Sequence, residues 1–543
     1  MLKKLHGRKL AVCLIGGAMY ALFSAFGWQA EHGGVIWAGG ALLVAALLVW
    51  PIAALLAVLL ERGYTRTLRQ EKTFRAGRVF AFILACYVPM FCVAFPGSFA
   101  YDVPYQLRQV VTGAYSTHHP LLHTLALGGL LQLGRALGDI NLGAALYTAL
   151  QMALLAGCFA LTCGSIARQS GARAAKRAAV FFALYPLNMV MAVNATKDVL
   201  FGGFFALTLA LLNEMQEKPS RGLALKIAAC GALAVMLRNN MAYAALVWLA
   251  LLTIGLRKAE KSAALAMLLA LAVGLCGNAA LKHATRAESG DMSEMLSWPI
   301  QQLARARLYD EERLTDAEKE AIDELMPGEA WACYDPTISD PVKFEFDTQA
   351  FRTDVKKYVG VWLSVGKKCA GTYLDATMAL TYPFFYPYRE YRVSGYYVQM
   401  GMSDAYDAGW CDFDPPESRS LFPRALASLS WRFGAKGAMQ IPVVGWLFNM
   451  GVIVWTMLFF ALREMYWGRW RRFGTALLPV LLWGTFLLGP VMAGRYPAFA
   501  SAWSASTCDR QVMAGRYIYP FVCALPVLAA RPGRSVKEAA RHG

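Results

Sequence analysis

Long apolar runs recur along the whole chain, and the short segments between them collect Lys and Arg. Several runs reach the roughly 20 residues that an α-helix needs to cross a lipid bilayer. The pattern predicts an all-α polytopic membrane protein with about twelve transmembrane helices. The expected crossings are residues 10–29, 34–60, 79–96, 142–165, 178–194, 198–213, 223–238, 240–256, 262–282, 441–462, 473–493 and 512–530.

Charge sets the expected topology. The chain has a formal net charge of +17, but residues 283–440 hold 24 acidic and 17 basic residues, so the positive excess lies between the apolar runs. Cytoplasmic loops carry such an excess. We therefore predict a multi-pass protein of the cell (plasma) membrane with both termini inside and residues 283–440 outside. Because the bases follow the loops, they do not indicate nucleic acid as a partner.

Two apolar segments need a separate decision. Residues 10–29 could pass for a signal peptide, but no small-residue cleavage site follows, so we expect a retained helix. Residues 120–137 look like a short membrane helix. A crossing there would place the basic segment around Arg173 outside, so we predict a helix that lies on the outer surface.

This topology divides the chain into three parts. An N-terminal transmembrane region, residues 1–282, carries an outer loop at 97–141 that we expect to be catalytic. Residues 283–440 form an extracytoplasmic domain. Residues 441–543 form a C-terminal transmembrane region with a basic cytoplasmic tail.

Local patterns describe the outer domain further. Thr315 and Glu318 form a capping-box signature, which indicates a helix and favours a mainly helical domain. A crowd of aromatic residues predicts either a belt at the membrane interface or a platform for sugar rings or a lipid carrier: Tyr373, Tyr382, Phe384, Phe385, Tyr386, Tyr388, Tyr391, Tyr396 and Tyr397. Four cysteines fall on the outer face and are predicted to form disulfides, with three possible connectivities: Cys333, Cys369, Cys411 and Cys508.

Charged residues also gather at the outer ends of the predicted membrane helices, where they are costly unless they pair or line a cavity. The bases are Arg108, Arg135, Lys197, Arg238, Lys282, Arg495, Arg510 and Arg516, and the acids are Asp102, Asp139, Asp198 and Asp509. For Lys282, Arg135 and Asp139 we favour anchors or structural ion pairs. Cations in "NATKD", "LRNN" and "GRYIYP", which are Lys197, Arg238 and Arg516, are predicted to converge on phosphate oxygens.

Asp102 suggests a different chemistry. In a partly dry cleft a carboxylate can have a raised pKa and act as a general base toward an acceptor hydroxyl. The alternative is that Asp102 only caps a helix over 103–113. We predict the stretch from Tyr101 to His119 as the rim of an active site. His118 and His119 could bind a phosphate or position the hydroxyl, and they are weak evidence for a metal by themselves.

The order of "YDVPYQ", "HHP", "TKD", "LRNN" and "GRYIYP", with "SWPIQQLARA" in the outer domain, resembles bacterial members of the GT-C superfamily of integral membrane glycosyltransferases. The resemblance covers most of the chain. It implies transfer of a sugar from a polyprenyl-phosphate donor to an extracytoplasmic glycan, lipid or protein acceptor, usually with inversion. Asp102 matches the catalytic base of the family.

The resemblance places Lys197, Arg238 and Arg516 as phosphate contacts by analogy. The full set of predicted substrate contacts is Tyr101, Arg108, His118, His119, Lys197, Asp198, Arg238, Asn239, Arg495, Arg516 and Tyr517. Some members use a divalent metal, so Mg²⁺ or Mn²⁺ stays open, although no convincing acidic pair for one is found. Two extra spans before the catalytic loop depart from the family. A transporter or flippase for lipid-linked saccharides, a polymerase or ligase, and a non-catalytic assembly factor remain as alternatives.

Overall fold

The computed structural model describes residues 7–31, 39–62, 74–99, 102–253, 258–290, 292–336, 339–387, 416–433, 443–488 and 515–531, together with Leu5, Met400, Gly401 and Ile441. Every regular element in these ranges is a helix, as the apolar pattern predicts. The first half holds α1 Arg8–Glu31, α2 Gly39–Arg62, α3 Ala76–Ala94, α4 Asp102–Thr112, α5 Leu121–Ala136, α6 Ile140–Ser170, α7 Ala172–Leu184, α8 Pro186–Ala192, α9 Lys197–Glu217, α10 Arg221–Leu237 and α11 Asn239–Thr253. The second half holds α12 Lys258–Thr285, α13 Ser297–Tyr309, α14 Asp316–Leu325, α15 Asp340–Phe344, α16 Thr348–Thr353, α17 Val355–Lys368, α18 Ala370–Thr381, α19 Pro423–Phe433, α20 Met450–Tyr466, α21 Trp470–Leu488 and α22 Tyr519–Ala529.

Six helices of the described chain are long and apolar enough to cross a membrane, which is compatible with a membrane protein. They are Arg8–Glu31, Gly40–Glu61, Ala76–Ala94, Ile140–Ser170, Lys197–Glu217 and Lys261–Thr285. Other predicted crossings fall on shorter helices, such as α10 and α20 with 17 residues each. The predicted total of about twelve therefore goes beyond the six that length and hydropathy support.

The crossing predicted at 178–194 is broken in the middle. α7 ends at Leu184, and Pro186 opens α8. Tyr185 between them is extended, with φ −66° and ψ 122°. The residue before a proline is disfavoured in the helical region, which explains why a continuous apolar run does not give a continuous helix.

The main core is built around α9, the most buried of the six candidate spans. Its apolar side chains pack with those of α6, α10 and α22 in one cluster, with Phe201, Phe205 and Leu209 fully buried. α5 packs along α6, where Gly134 and Gly143 allow the two backbones to meet closely. A side chain at Gly143 would lie 2.3 Å from a backbone oxygen of Leu130, so the position requires glycine.

Residues 283–440, which we call the outer domain after their predicted position, contain a hydrophobic core of their own. Its buried side chains run from Ile300 to Tyr373 and form a cluster separate from the main core. The capping box at Thr315 and Glu318 is present and opens α14, which confirms the helix predicted there. The domain is helical throughout the described residues, as predicted.

The aromatic crowd does not form an exposed belt or platform where the structure describes it. Tyr382, Phe384, Phe385 and Tyr386 are at most 5% exposed and pack into the main core. Tyr373 is buried in the outer domain. Both interpretations are therefore wrong for these five residues, because their rings are buried in the two hydrophobic cores. The other predicted members, Tyr388, Tyr391, Tyr396 and Tyr397, lie outside the described residues.

Cys333 and Cys369 are both free thiols, so they are not joined to each other. Cys333 is exposed and Cys369 is buried. Cys411 and Cys508 lie outside the described residues, and disulfides that involve them stay a prediction.

Candidate functional site

The predicted catalytic loop, residues 97–141, is held at its start and near its middle by backbone hydrogen bonds. At its start, Ser98 N–H donates to Val193 O (2.8 Å), and Ala195 N–H donates to Ser98 O (2.7 Å). Near its middle, Thr117 N–H donates to Glu288 O (2.9 Å) at the beginning of the outer domain. The first contact brings the loop against the turn that precedes α9. The second ties it to the outer domain.

Asp102 begins α4 and lies between two cations. Arg516 donates a hydrogen bond directly to Asp102 Oδ2, and Lys197 Nζ lies 3.7 Å from the same oxygen. The two cations are far apart in the sequence, and the side chains of all three residues are at most 17% exposed. The structure thus brings together three residues that were chosen separately from the sequence.

The surroundings of Asp102 set its charge. Burial alone would raise the pKa of Asp102, but Arg516 and then Lys197 outweigh it and hold the pKa well below its usual value. The expectation of a raised pKa is therefore wrong for the site as it stands. Asp102 is an ion-paired carboxylate, and such a group is a weak base until its cations are engaged elsewhere.

Arg238 and Asp198 form a second buried pair next to the first. Their side chains are 8% and 0% exposed, and the guanidinium contacts the carboxylate directly. The Arg238 guanidinium also lies 4.5 Å from the ring centre of Phe486 and 5.1 Å from that of Tyr517. Arg516 in turn donates to the Tyr517 hydroxyl (3.3 Å), so Tyr517 joins the two ion pairs into one cluster.

The cluster has one more positive charge than negative charges. Asp198 neutralises Arg238, while Asp102 faces both Arg516 and Lys197. We call these five residues the cation cluster. A buried excess of positive charge favours an anionic ligand.

His119 connects the cation cluster to the surface. Its side chain is buried, and its Nδ1 lies 3.4 Å from Lys197 Nζ. Burial and then the charge of Lys197 lower the pKa of His119 well below its usual value, so the ring is neutral near pH 7 and can accept from the ammonium. His118 packs edge to face against it at 4.7 Å and is exposed.

A chain of buried hydrogen bonds behind Asp102 was not predicted. Gln106 Nε2 lies 3.0 Å from His123 Nδ1, and the Tyr147 hydroxyl lies 2.8 Å from His123 Nε2. Tyr147 donates to Gln151, whose amide donates to Ala192 O and Asn194 O just before α9. This network links α4, which carries Asp102, to the turn that carries Lys197. The sequence signal for this network is His123, a histidine inside the apolar helix predicted at 120–137.

A cavity of about 530 Å³ opens beside α4, between the catalytic loop and the outer domain. Its lining comes from Tyr105, Arg108, Gln109, Thr112, Ala114, Ser116, His118, His119, Glu294, Lys343 and Phe344. Residues 105, 108, 109 and 112 share one face of a helix by spacing, so Tyr105 and Gln109 could have been found from the sequence. Glu294 and Lys343 could not, because they reach the cavity only through the packing of the outer domain.

The remaining predicted contacts are scattered. Arg108 lines the cavity and is exposed, and Asn239 is exposed at the start of α11. Asp198 is fully buried and meets a ligand only through Arg238. Tyr101 and Arg495 lie outside the described residues, as does Arg510.

The cation cluster does not fit a divalent metal. Asp102 is flanked by Arg516 and Lys197, whose charges repel Mg²⁺ or Mn²⁺. Within the described ranges, no three His, Cys, Asp or Glu side chains are grouped so that they could hold a metal ion. The donor set therefore suits an anion rather than a cation.

The model of a family of unknown function, DUF6020, matches residues 107–496, which is well over half of the chain. The match begins inside α4 and includes the outer domain, Lys197, Arg238 and the lining of the cavity except Tyr105. Asp102 precedes it and Arg516 follows it. No curated protein and no solved structure matches the chain. The protein belongs to the DUF6020 family.

Proposed function

We propose that this protein is an integral membrane glycosyltransferase of the GT-C type. It moves a sugar from a polyprenyl-phosphate carrier to an extracytoplasmic glycan, lipid or protein acceptor. The active site faces the outside of the cell membrane, with about twelve crossings by the charge pattern. Asp102 is the general base. The observation that carries the proposal is the position of Asp102 between Arg516 and Lys197 at the start of the outer loop.

The ion pairs of Asp102 give the reaction an order. When the donor phosphate binds Arg516 and Lys197, it competes for the cations that lower the pKa of Asp102. Asp102 then gains proton affinity only when the donor is present. A resting site with a strong free base could activate water instead of the acceptor.

The proposed sugar transfer is a single displacement at the anomeric carbon. Asp102 takes the proton of the acceptor hydroxyl while the hydroxyl oxygen attacks the anomeric carbon. The bond between that carbon and the phosphate oxygen breaks, and its electron pair leaves on the phosphate. Arg516 and Lys197 stabilise the charge that develops there. One displacement from the opposite face inverts the anomeric configuration.

The test is Asp102→Asn in the purified full-length protein, supplied with a panel of polyprenyl-phosphate sugars. Sugar transfer should fall by roughly a hundredfold or more, in line with the loss of a general base. Polyprenyl-phosphate binding should persist, because both cations remain. Asp139→Asn is the matched control, since this partly exposed carboxylate pairs with Arg419 and with no residue of the cation cluster among the ion pairs of the described chain.

Two readouts keep the result interpretable. Thermal stability should be measured with polyprenyl phosphate present, because Asp102→Asn leaves two buried cations without their anion. Asp102→Glu retains the charge and displaces the carboxylate, so it should also lose transfer while remaining folded. Normal transfer by a folded Asp102→Asn protein would instead favour a transporter or flippase for lipid-linked saccharides, which needs the cations and no base. A polymerase or ligase that uses Asp102 as its base would lose activity in the Asp102→Asn protein as well.

A further inference from the structure

The cavity beside α4 is separate from the cation cluster but adjacent to it. His119 belongs to both, since it contacts Lys197 on one side and lines the cavity on the other. Asp102 and Arg108 lie on the same helix, and a rise of 1.5 Å per residue puts them roughly 9 Å apart along its axis. A single molecule that lies along α4 can therefore reach both.

The lining suits a carbohydrate. Two aromatic side chains, Tyr105 and Phe344, present apolar surfaces, and amide, hydroxyl and imidazole groups alternate with them. Gln109 is held by Ser116, whose backbone N–H donates to Gln109 Oε1 (3.1 Å). The volume lies in the range of roughly 300–1,000 Å³ that is usual for small-molecule sites. The polar groups are placed to bind hydroxyls, and the rings to contact the apolar face of a sugar.

The two basic residues that line the cavity, Lys343 and Arg108, differ in their ion pairs. Lys343 is almost fully buried and pairs with both Glu294 (2.9 Å) and Asp340 (2.6 Å), so its charge is more than neutralised. Arg108 is exposed at the cavity, and among the described residues its guanidinium forms no ion pair. The cavity thus offers one guanidinium that no described carboxylate contacts, and such a group binds carboxylate and phosphate groups with two parallel hydrogen bonds.

We infer that this cavity is the acceptor site, and that the acceptor is a carbohydrate with an anionic substituent, carboxylate or phosphate, which Arg108 recognises. The inference rests on the proposed function only in calling the bound carbohydrate an acceptor. The binding of an acidic sugar at Arg108 stands on the cavity itself.

The test measures binding of soluble oligosaccharides to the full-length protein in detergent, without any donor. Three probes of equal length are compared, which end in glucose, glucuronic acid or glucose 6-phosphate. The two acidic probes should bind at least roughly tenfold more tightly than the neutral one, as a charge-assisted contact implies. The tighter of the two acidic probes identifies the substituent.

Arg108 variants assign the preference to the cavity. Arg108→Gln should remove most of the acidic preference, and Arg108→Lys should keep part of it because the charge remains without the planar fork. Arg135→Gln, which removes a charge from the exposed end of α5, should leave the preference unchanged. Equal binding of the three probes by the parent protein overturns the inference. A preference for the acidic probes that survives Arg108→Gln would also overturn the inference. So would a preference that falls equally with Arg135→Gln.

The experiments distinguish an error in the acceptor site from an error in the proposed function. Acidic binding that depends on Arg108, with transfer unaffected by Asp102→Asn, refutes the enzyme and leaves the binding site. Transfer that depends on Asp102, with no acidic preference, refutes the inference and leaves the enzyme.

Discussion

At the scale of single residues, the two buried arginines of the cation cluster are not equivalent. Arg516 shares Asp102 with Lys197, whereas Arg238 has Asp198 to itself. An anion can therefore be attracted to Arg516 and Lys197 without breaking the pair of Arg238. From the sequence alone, all three cations had the same assignment as phosphate contacts.

Replacing Arg238 should destabilise the fold more than it weakens ligand binding. Arg238→Met leaves Asp198 charged, fully buried and without its partner, which should cost about 3–5 kcal/mol of unfolding free energy. The double variant with Asp198→Asn should recover much of that loss, because no buried charge remains. Denaturation in detergent measures both proteins. Equal stability of the single and double variants would contradict a buried pair.

The stability of the protein should fall on acidification, partly through His123. Burial lowers the pKa of His123 to about 3, whereas in an unfolded chain it is about 6.5. Between these values the unfolded state binds the additional proton, so folding stability decreases as the pH falls, by up to about 1.4 kcal/mol per unit.

Thermal denaturation between pH 7 and pH 4.5 checks this. His123→Gln should flatten the pH dependence, because glutamine can keep a hydrogen bond to Tyr147 and does not titrate. The exposed His283 provides the matched substitution, His283→Gln, which should keep the parent slope. A slope unchanged by His123→Gln would remove His123 as its source.

At the scale of elements, α14 shows how one local signal also serves tertiary packing. Thr315 Oγ1 accepts from Glu318 N–H, and Glu318 accepts from Thr315 N–H, as the capping box requires. The same carboxylate receives Lys368 Nζ (2.7 Å) and the Ser364 hydroxyl (2.8 Å) from α17. Glu318 therefore joins two helices as well as beginning one.

Thr315→Ala should cost about 1 kcal/mol, because it removes the N-cap acceptor of α14. Glu318→Ala should cost more, since it also releases Lys368 and Ser364 from α17. Amide hydrogen exchange in the full-length protein separates the two effects. Thr315→Ala should accelerate exchange at the start of α14 only, whereas Glu318→Ala should accelerate it in α17 too. If exchange is accelerated only in α14 in both variants, the contact of Glu318 with α17 does not stabilise α17.

At the scale of the whole molecule, the loop of Asp102 is where two packed bodies meet. The main core contains α9 and its neighbours, and the outer domain has its own core. The loop is bonded to the main core through Ser98 and to the outer domain through Thr117. Movement of the outer domain relative to the helices would therefore change the cavity and leave Asp102 beside α9.

Labelling with a membrane-impermeant maleimide in intact cells tests the topology. Cys333 is exposed in the outer domain and should react from outside, and Cys333→Ser should lower that signal. A cysteine placed by Arg173→Cys, at an exposed position of α7, should react only after the membrane is permeabilised. If the Arg173→Cys protein is labelled more strongly than the parent in intact cells, the predicted topology is wrong.

Much of the local structure followed from the sequence. The helices expected at 103–113 and 120–137 are Asp102–Thr112 and Leu121–Ala136, and the capping box is formed. These features depend on neighbours within a few residues, such as prolines, caps and apolar spacing. The break at Tyr185 was missed although Pro186 signals it, because the hydropathy of the run was given more weight.

The sequence by itself determined the helical class and the apolar lengths of the helices, because both depend on composition within one segment. Only the tertiary structure decided which charges meet. Asp102 and Arg516 are 414 positions apart, and their contact exists because Asp102 lies beside Lys197 at the start of α9 and the segment before α22 packs against α9. The pKa of Asp102 is lowered rather than raised for the same reason, since the sum of burial and two opposing charges is a property of that packing.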